Sequence, residues 1–307
     1  MIARGFVAVV VTLVCLPAFA STTPAKINIG YATAADYLPA FVSKENGCFA
    51  ANGIDAQFTR MPVTTNIPAA IIADTLQIGA NTATLFLPAV ENGLDLIAVA
   101  GGTQLLKGNE TLSLVTSKSF LVKSGADVVG KRIGVPGINS VADVVFRKWL
   151  KNEGIDPAKV KIVETPFPQM KDLIKAGTID GAIAVEPIRS SIVNEGIGQR
   201  STIEYHSAVM PKSILAFWTA SKKWADKNPQ AISAFQKCLK EGIAWIGSNP
   251  DAARDIEKKY LGFNTPVRPD WDVEIKGEDF DLFVDMNLEF GVMKKRTDPK
   301  TLVWSKP

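Results

Sequence analysis

The segment GKRIGVPGINSVADVVFRKWLKNEGIDPAKVKIVETPFPQMKDLIKAGTIDGAIAVEP, residues 130–187, holds two short apolar strands, Arg132–Val135 and Gly181–Val185. Each ends in a turn built from Gly or Pro. The first runs through Pro136, Gly137, Ile138 and Asn139 into a helix that opens at Ser140. A strand, a Gly-bearing loop and a helix start leave backbone N–H groups unpaired at one spot. The Ser140 hydroxyl can cap the helix, with Asp143 three residues on as the reciprocal acid. An anionic or polar ligand docked there would meet those N–H groups and the positive end of the helix dipole. These features predict half of a small-molecule site, with the other half supplied elsewhere in the chain.

The flanking sequence repeats the same rhythm. Lys26–Ala32 alternates like a strand, and Thr33–Tyr37 is a loop in which Asp36 can cap a helix carrying Pro39 in its first turn. Strands follow at Ile54–Phe58, Leu76–Ala80 and Leu94–Ala100, the last ending at Gly101-Gly102. Between them lie helices over Asn66–Asp74 and from Asn81-Thr82-Ala83-Thr84 to Gly93. Alternation of strand and helix predicts an α/β fold with a largely parallel sheet. Thr111–Thr116 crosses into a second lobe that contains the segment quoted above, Ile203–Ala208 as its last strand, and a return crossing at Ser213–Ala220. The remainder is mostly helical, with a stripe of Ile232, Phe235, Leu239, Ile243 and Ile246 at helical spacing. The predicted organisation is one lobe from residues 21–108 and 212–307 and a second from 109–211.

At 307 residues the chain can bury a sizeable core in each lobe. Hydrophobic residues at 47% and charged residues at 21% exclude a disordered chain. The net charge of +3 is too balanced for a nucleic-acid binder. Residues 1–20 carry Arg4, a short apolar run from Phe6 to Leu16 and the small-residue end Pro17-Ala18-Phe19-Ala20. That is the pattern of a cleavable export signal, too short to span a bilayer comfortably. Cys48 and Cys238 show no metal-binding spacing. An oxidising compartment permits a bridge between them, although two buried thiols are the plainer expectation.

Ligands of open α/β sheets bind outside the carboxyl ends of the strands. That selects the loops after Tyr31, Gly79, Val135 and Val185, and with them Thr33, Asp36, Tyr37, Asn81, Thr82, Thr84, Gly137, Asn139, Ser140 and Glu186. These residues offer hydroxyls, amides and helix-start N–H groups, with little titratable machinery. Ser140 is either a helix cap or a cap that also touches ligand, and Asn81, Thr82 and Thr84 divide in the same way. Glu186 either accepts a hydrogen bond from ligand or serves lobe closure. Tyr37 and Trp218 are core aromatics or ligand-packing faces, and Arg132 and Arg147 are expected in solvent. Catalysis has thin support. A Ser-His-Asp set would have to use the single histidine, His206, and no Gly-x-Ser-x-Gly elbow is present. The glycines of GVPGINS match neither phosphate-cradling pattern.

The chain resembles the substrate-binding proteins of ABC importers in the nitrate, sulfonate and taurine class, which also includes binders of thiamine-pyrimidine precursors. The resemblance rests on GKRIGVPG (130–137), the Ser140 helix start, WLKNEGIDPAKVKIV (149–163), AGTIDGAIAVEP (176–187), KKWADKNP (222–229) and GYATAADYLPAFVSKENGCFAANGIDA (30–56). It implies an α/β two-lobe periplasmic-binding-protein (type II) fold with two crossover strands and an interlobe cleft. It also implies a monomer in the periplasm, without cofactor, metal or catalysis, that hands a small anionic solute to an inner-membrane permease. The ligand contacts it implies are Ala34, Asp36, Asn81, Thr82 and Gly137–Val141, with Glu186 where relatives carry an acidic or aromatic residue beside Pro. Two departures matter: the turn ANTAT after the third strand, and Asp36-Tyr37 in the first loop. An acid there would repel a sulfonate unless it lies outside the pocket or meets a cation. The related pyrimidine synthases use a cysteine-rich iron site, and no such run occurs in this chain.

Overall fold

A computed structural model describes residues 24–306 other than Val63, Glu110 and Pro266. The export signal expected over residues 1–20 lies outside the described residues. The strands, in chain order, are β1 (Ala25–Tyr31), β2 (Ile54–Arg60), β3 (Ile78–Asn81), β4 (Leu96–Leu106), β5 (Ser113–Ser117), β6 (Arg132–Val135), β7 (Lys161–Glu164), β8 (Gly181–Ala184), β9 (Gly198–Arg200), β10 (Lys212–Ser221) and β11 (Asp270–Trp271). The α-helices are α1 (Leu38–Glu45), α2 (Cys48–Ala51), α3 (Ile67–Ile72), α4 (Ala83–Glu91), α5 (Val141–Asn152), α6 (Phe167–Lys175), α7 (Ile188–Asn194), α8 (Tyr205–Val209), α9 (Lys222–Lys227), α10 (Pro229–Ser248), α11 (Pro250–Leu261) and α12 (Asp281–Glu289).

Two sheets result. The first has the order β11-β4-β10-β3-β1-β2 and the second β7-β6-β8-β5-β9. Each is mixed. β1 pairs in parallel with β2 and β3, while β10 runs antiparallel to β3 and β4. In the second sheet β6 is parallel to β7 and β8, and β5 is antiparallel to β8 and β9. The chain passes from the first sheet to the second after β4 and returns before β10. The two passages lie side by side, with the Lys107 N–H donating to the Pro211 carbonyl at 2.9 Å.

The central strands carry no polar face because both sides are covered. All four residues of β8 (GAIA) are buried, as are Ile133, Gly134 and Val135 of β6. Helix α5 shows how the second lobe closes over them. Val141, Val144, Val145, Trp149 and the fully buried Phe146 and Leu150 form one apolar face, each large side chain contributing about 1.5–3 kcal/mol by leaving water. The helix stops where Gly154 takes φ 75° and the Ile155 N–H reaches back to the Leu150 carbonyl at 2.9 Å.

Several sequence expectations are corrected. β4 does not end at Gly101-Gly102 but continues to Leu106. The two glycines let neighbours come close: a Cβ on Gly101 would collide with the backbone carbonyls of Asp272 and Glu274, and one on Gly102 with that of Ala216. Ile203–Ala208 is not a strand. Its Tyr205 begins α8 and packs edge-on against Phe146 of α5 at 5.5 Å, so tertiary packing overrides a short alternating pattern. The first sheet is less parallel than alternation suggested, because β10 returns against β3 and β4. Cys48 and Cys238 are not free thiols. They form a disulfide, with Cα atoms 5.7 Å apart, that ties α2 to α10 across a separation of 190 residues.

Candidate functional site

The loops at the carboxyl ends of β1, β2, β3, β6 and β8 meet where the two sheets face each other. They enclose a cavity of about 40 Å³, lined by Ala34, Asp36, Tyr37, Thr64 and Thr82 from the first sheet's loops and by Pro136, Ser140, Val141 and Val185 from the second's. Leu112, Ala142, Phe167, Leu215 and Ala216 complete a largely apolar wall. One water occupies roughly 10–15 Å³ on this scale, so the cavity suits a compact solute. The bodies touch beside it: the Ala35 N–H donates to the Glu186 carbonyl at 2.9 Å.

The polar groups on this wall are unsatisfied. Asp36 Oδ1, Thr64 Oγ1, Thr82 Oγ1 and Ser140 Oγ are buried oxygens without a hydrogen-bond partner. Buried polar atoms in a folded protein are nearly always paired, and an unpaired one costs about 1–3 kcal/mol. Four of them face one small cavity, where a polar solute could pair with them.

Ser140 explains the second sheet's share. It stands at the N-cap of α5, yet its hydroxyl makes no cap bond. The predicted reciprocal box does not form, because Asp143 is taken up on the other side. Its Oδ2 accepts the Asn139 N–H at 2.7 Å, and both its oxygens pair with Arg147. The Val141 and Ala142 N–H groups, at the first positions of the helix, have no place in the helical ladder. Asp36 holds the opposite side. It does not cap α1, whose N-cap is Tyr37. Its backbone carbonyl accepts from Trp271 Nε1 at 2.9 Å and from Thr103 Oγ1 at 3.4 Å, which fixes the loop. Burial pushes the Asp36 carboxyl up to about 6, and hydrogen bonds from Thr103 and its own backbone N–H offset only part of that rise. Among the described residues no Lys, Arg or His lines the cavity.

Of the residues singled out from sequence, Ala34, Asp36, Tyr37, Thr82, Ser140 and Val141 line the cavity, and Thr33, Asn81, Thr84, Gly137, Ile138, Asn139 and Glu186 do not. Asn81 is buried just behind it, with Oδ1 on the Thr82 N–H at 2.9 Å and Nδ2 unpartnered. Gly137 lets the neighbouring loop close in: a Cβ there would stand 3.1 Å from Thr65 Cγ2. Asn139 adopts φ 63° and turns its Oδ1 to Arg147 Nη2 at 2.7 Å, away from the cavity. Glu186 is fully buried and forms an ion pair with Arg189, whose Nη1 donates to Ser113 Oγ at 3.0 Å. Arg147 is accordingly not a solvated side chain, whereas Arg132 stays at the surface, its side chain 41% exposed, and bonds Asp180 through Nη2 at 3.0 Å. Thr64 was missed by sequence reasoning, although the strand-end rule that selected the other loops applies equally to the loop after β2. Trp218 packs on Tyr37, ring centres 5.4 Å apart, behind the wall. His206 is buried away from the cavity, and burial pulls its imidazole down to about 3. Without it a Ser-His-Asp set has no base.

A larger concavity, about 760 Å³, opens on the outer face of α5 between Arg147, Lys151, Asp156 and Phe290. It is a wide groove whose Asp143 and Arg147 pair with each other, and it lacks the orphaned polar atoms of the interlobe cavity. Among the described residues no His, Cys, Asp or Glu cluster could hold a metal ion, and no helix is long and apolar enough to cross a membrane.

This architecture, two α/β bodies with a cavity at their facing strand ends, is the periplasmic-binding-protein fold. It superimposes on the aliphatic sulphonate binding protein SsuA of Escherichia coli with a TM-score of 0.75 at 16% identity, over 92% of this chain and 98% of that one. For the alkanesulfonate-binding protein of Xanthomonas axonopodis pv. citri, in a structure bound to MOPS, the TM-score is 0.77 at 14% identity, over 92% and 99% of the two chains. The NMT1-like family profile matches residues 20–259, and the chain belongs to that family. The nitrate/nitrite binding protein NrtA of Synechococcus elongatus is 25% identical over 315 residues, covering 91% of this chain and 66% of that protein. The taurine-binding periplasmic protein of Escherichia coli is 26% identical over 226 residues, covering 73% and 68%. The chain spans only 53% and 66% of the length of two nitrate/nitrite-binding relatives.

Proposed function

We propose that this chain is the periplasmic solute-binding component of an ABC importer, gripping a small solute with an anionic end by hinged closure and passing it to an inner-membrane permease. Residues 21–108 and 212–307 form one lobe and 109–211 the other. Alkanesulfonate or taurine is the first candidate solute and nitrate the next. The observation that carries the reading is the set of four unpartnered oxygens on one buried cavity, contributed from both sides of it. The first-turn N–H groups of α5 are the natural seat for the anionic end. Hydroxyls of Thr64, Thr82 and Ser140 complete its hydrogen bonds. A solute that bridges both lobes favours the closed state by the difference between its affinities for the two states. The export signal expected at the N-terminus and the binding proteins among the relatives support the compartment and the role.

The test is a thermal-shift screen of the mature protein against nitrate, alkanesulfonates, taurine and short carboxylates. A cognate solute at 100 times its Kd stabilises by about 2.7 kcal/mol through mass action and raises the melting point. Turnover of a bound compound, with no retained ligand, would remove the binding-protein reading.

A further inference from the structure

We infer that Asp36 sorts solutes by charge: the ligand brings a cationic nitrogen to its carboxylate, so the site takes a compact zwitterion in preference to a bare anion. This rests on the binding-protein reading above and narrows its substrate class.

Three observations converge on it. Asp36 lines the cavity, is 6% exposed, and leaves Oδ1 without a partner. Among the described residues the cavity wall carries no basic side chain. Arg189 and Arg147, on the helices that follow β8 and β6, are already engaged: Arg189 by Glu186 and Ser113, Arg147 by Asp143 and Asn139. A bare anion would therefore lie beside a carboxylate that has no cationic partner, in a space of low dielectric where like charges repel strongly. A solute with a positive nitrogen removes that conflict and supplies the hydrogen bond that Oδ1 lacks. Its anionic end then falls to the α5 start and Ser140 on the other wall. The solute is thus bipolar in the same sense as the cavity.

The ionisable groups around Asp36 do not offer a substitute. Tyr37 is adjacent and its phenol is pushed up by burial, so it stays neutral. Asp143 is tied to Arg147 on α5, and Asp270 beside Trp271 accepts from Asn109 Nδ2 at 2.6 Å. The elements that meet the Asp36 loop through β4 and β10 contribute Thr103, Leu215 and Ala216.

The experiment is isothermal titration of the mature protein at pH 8 and pH 5 with matched pairs: taurine with ethanesulfonate, and β-alanine with propionate. Nitrate is the fifth probe. The expected result is one zwitterion binding at least tenfold more tightly than its deaminated partner at pH 8, with the ratio shrinking at pH 5 as Asp36 protonates. Asp36→Asn should lose that zwitterion by tenfold or more and bind the deaminated partner or nitrate at least as well as the wild type does. Circular dichroism confirms that the variant is folded, and the wild-type pH comparison stands even if it is not. Tighter binding of ethanesulfonate, propionate or nitrate than of either zwitterion would overturn the inference and leave the binding-protein reading intact. Binding of none of the five would remove the small-anion reading and the inference with it.

Discussion

Two buried carboxylates stand where the lobes meet, and they are handled in opposite ways. Glu186 is paired with Arg189, and Arg189 is in turn held by Ser113. Asp36 faces a cavity with no cation among the described residues of its wall. Removing water from a charge is costly in either place. Next to Glu186 the protein supplies the compensation from its own sequence, three residues further along a helix. At Asp36 it does not. The first arrangement maintains the fold whether or not anything is bound. The second leaves a buried charge for a solute to complete, which is why the proposed site is placed there and not at Glu186.

The largest effect is expected on the paired side. Arg189→Met strands Glu186 as an uncompensated buried charge and should cost about 3–5 kcal/mol of stability, read from urea unfolding. A variant as stable as wild type would mean that Glu186 reaches water and that the two carboxylates do not differ as described.

On the unpaired side the sign reverses. The Asp36 carboxyl is raised from 3.8 to about 6 by burial, so between those values the folded chain holds a proton that the unfolded chain releases. Its cost is absent below pH 4 and grows as pH rises through 6. At ~1.36 kcal/mol per pH unit, solute-free Asp36→Asn should be more stable than wild type by up to about 3 kcal/mol at pH 8 and indistinguishable from it at pH 4. Paired unfolding curves at the two values measure this. A gap that widens toward acid would contradict it.

Glu257 extends the comparison into the interior of the first lobe. Burial, together with repulsion from Glu186, raises it to about 7, while the Thr265 N–H and Arg268 pull the other way. Glu257→Gln should likewise gain on wild type as pH climbs from 4.5 through 7, by less than the Asp36 variant because Arg268 loses its partner at 3.5 Å. A pH series of melting points for the two proteins checks the order.

Ser140→Ala separates binding from folding. The hydroxyl makes no cap bond, so stability without solute should move by less than about 0.5 kcal/mol, against ~1 kcal/mol for an ordinary cap. Affinity for the solute should drop by about 1 kcal/mol, near fivefold. A melting point that falls while affinity holds would return Ser140 to a structural role. Thr64→Val should give the smallest change, about 0.5 kcal/mol in affinity, since this residue is only partly buried.

Much of this fold was legible because Gly and Pro punctuate it. Pro136-Gly137 ends β6 and Gly154 ends α5, so the position of Ser140 could be read directly from the chain. The site was legible as far as strand-end loops define it. What could not be read was the direction of each side chain. Asn139 and Ser140 are neighbours of similar polarity, yet a left-handed backbone at Asn139 sends its amide to Arg147 while Ser140 stays on the cavity. Asp143 looked like a cap acid and became an ion-pair partner, because Arg147 one turn later competes for it. Thr64 went unnoticed because the sequence around it, MPVTTN, carries no Gly punctuation. The Cys48–Cys238 bridge was open for a related reason: a separation of 190 residues gives no hint of distance until α2 and α10 are packed together.

The hydrogen bond from Ala35 to Glu186 joins main chain to main chain across the seam. Substituting any side chain around the cavity leaves both of its atoms in place. On the proposed reading, latch and filter then rest on separate chemistries, and a change of preferred cargo need not relearn how to shut.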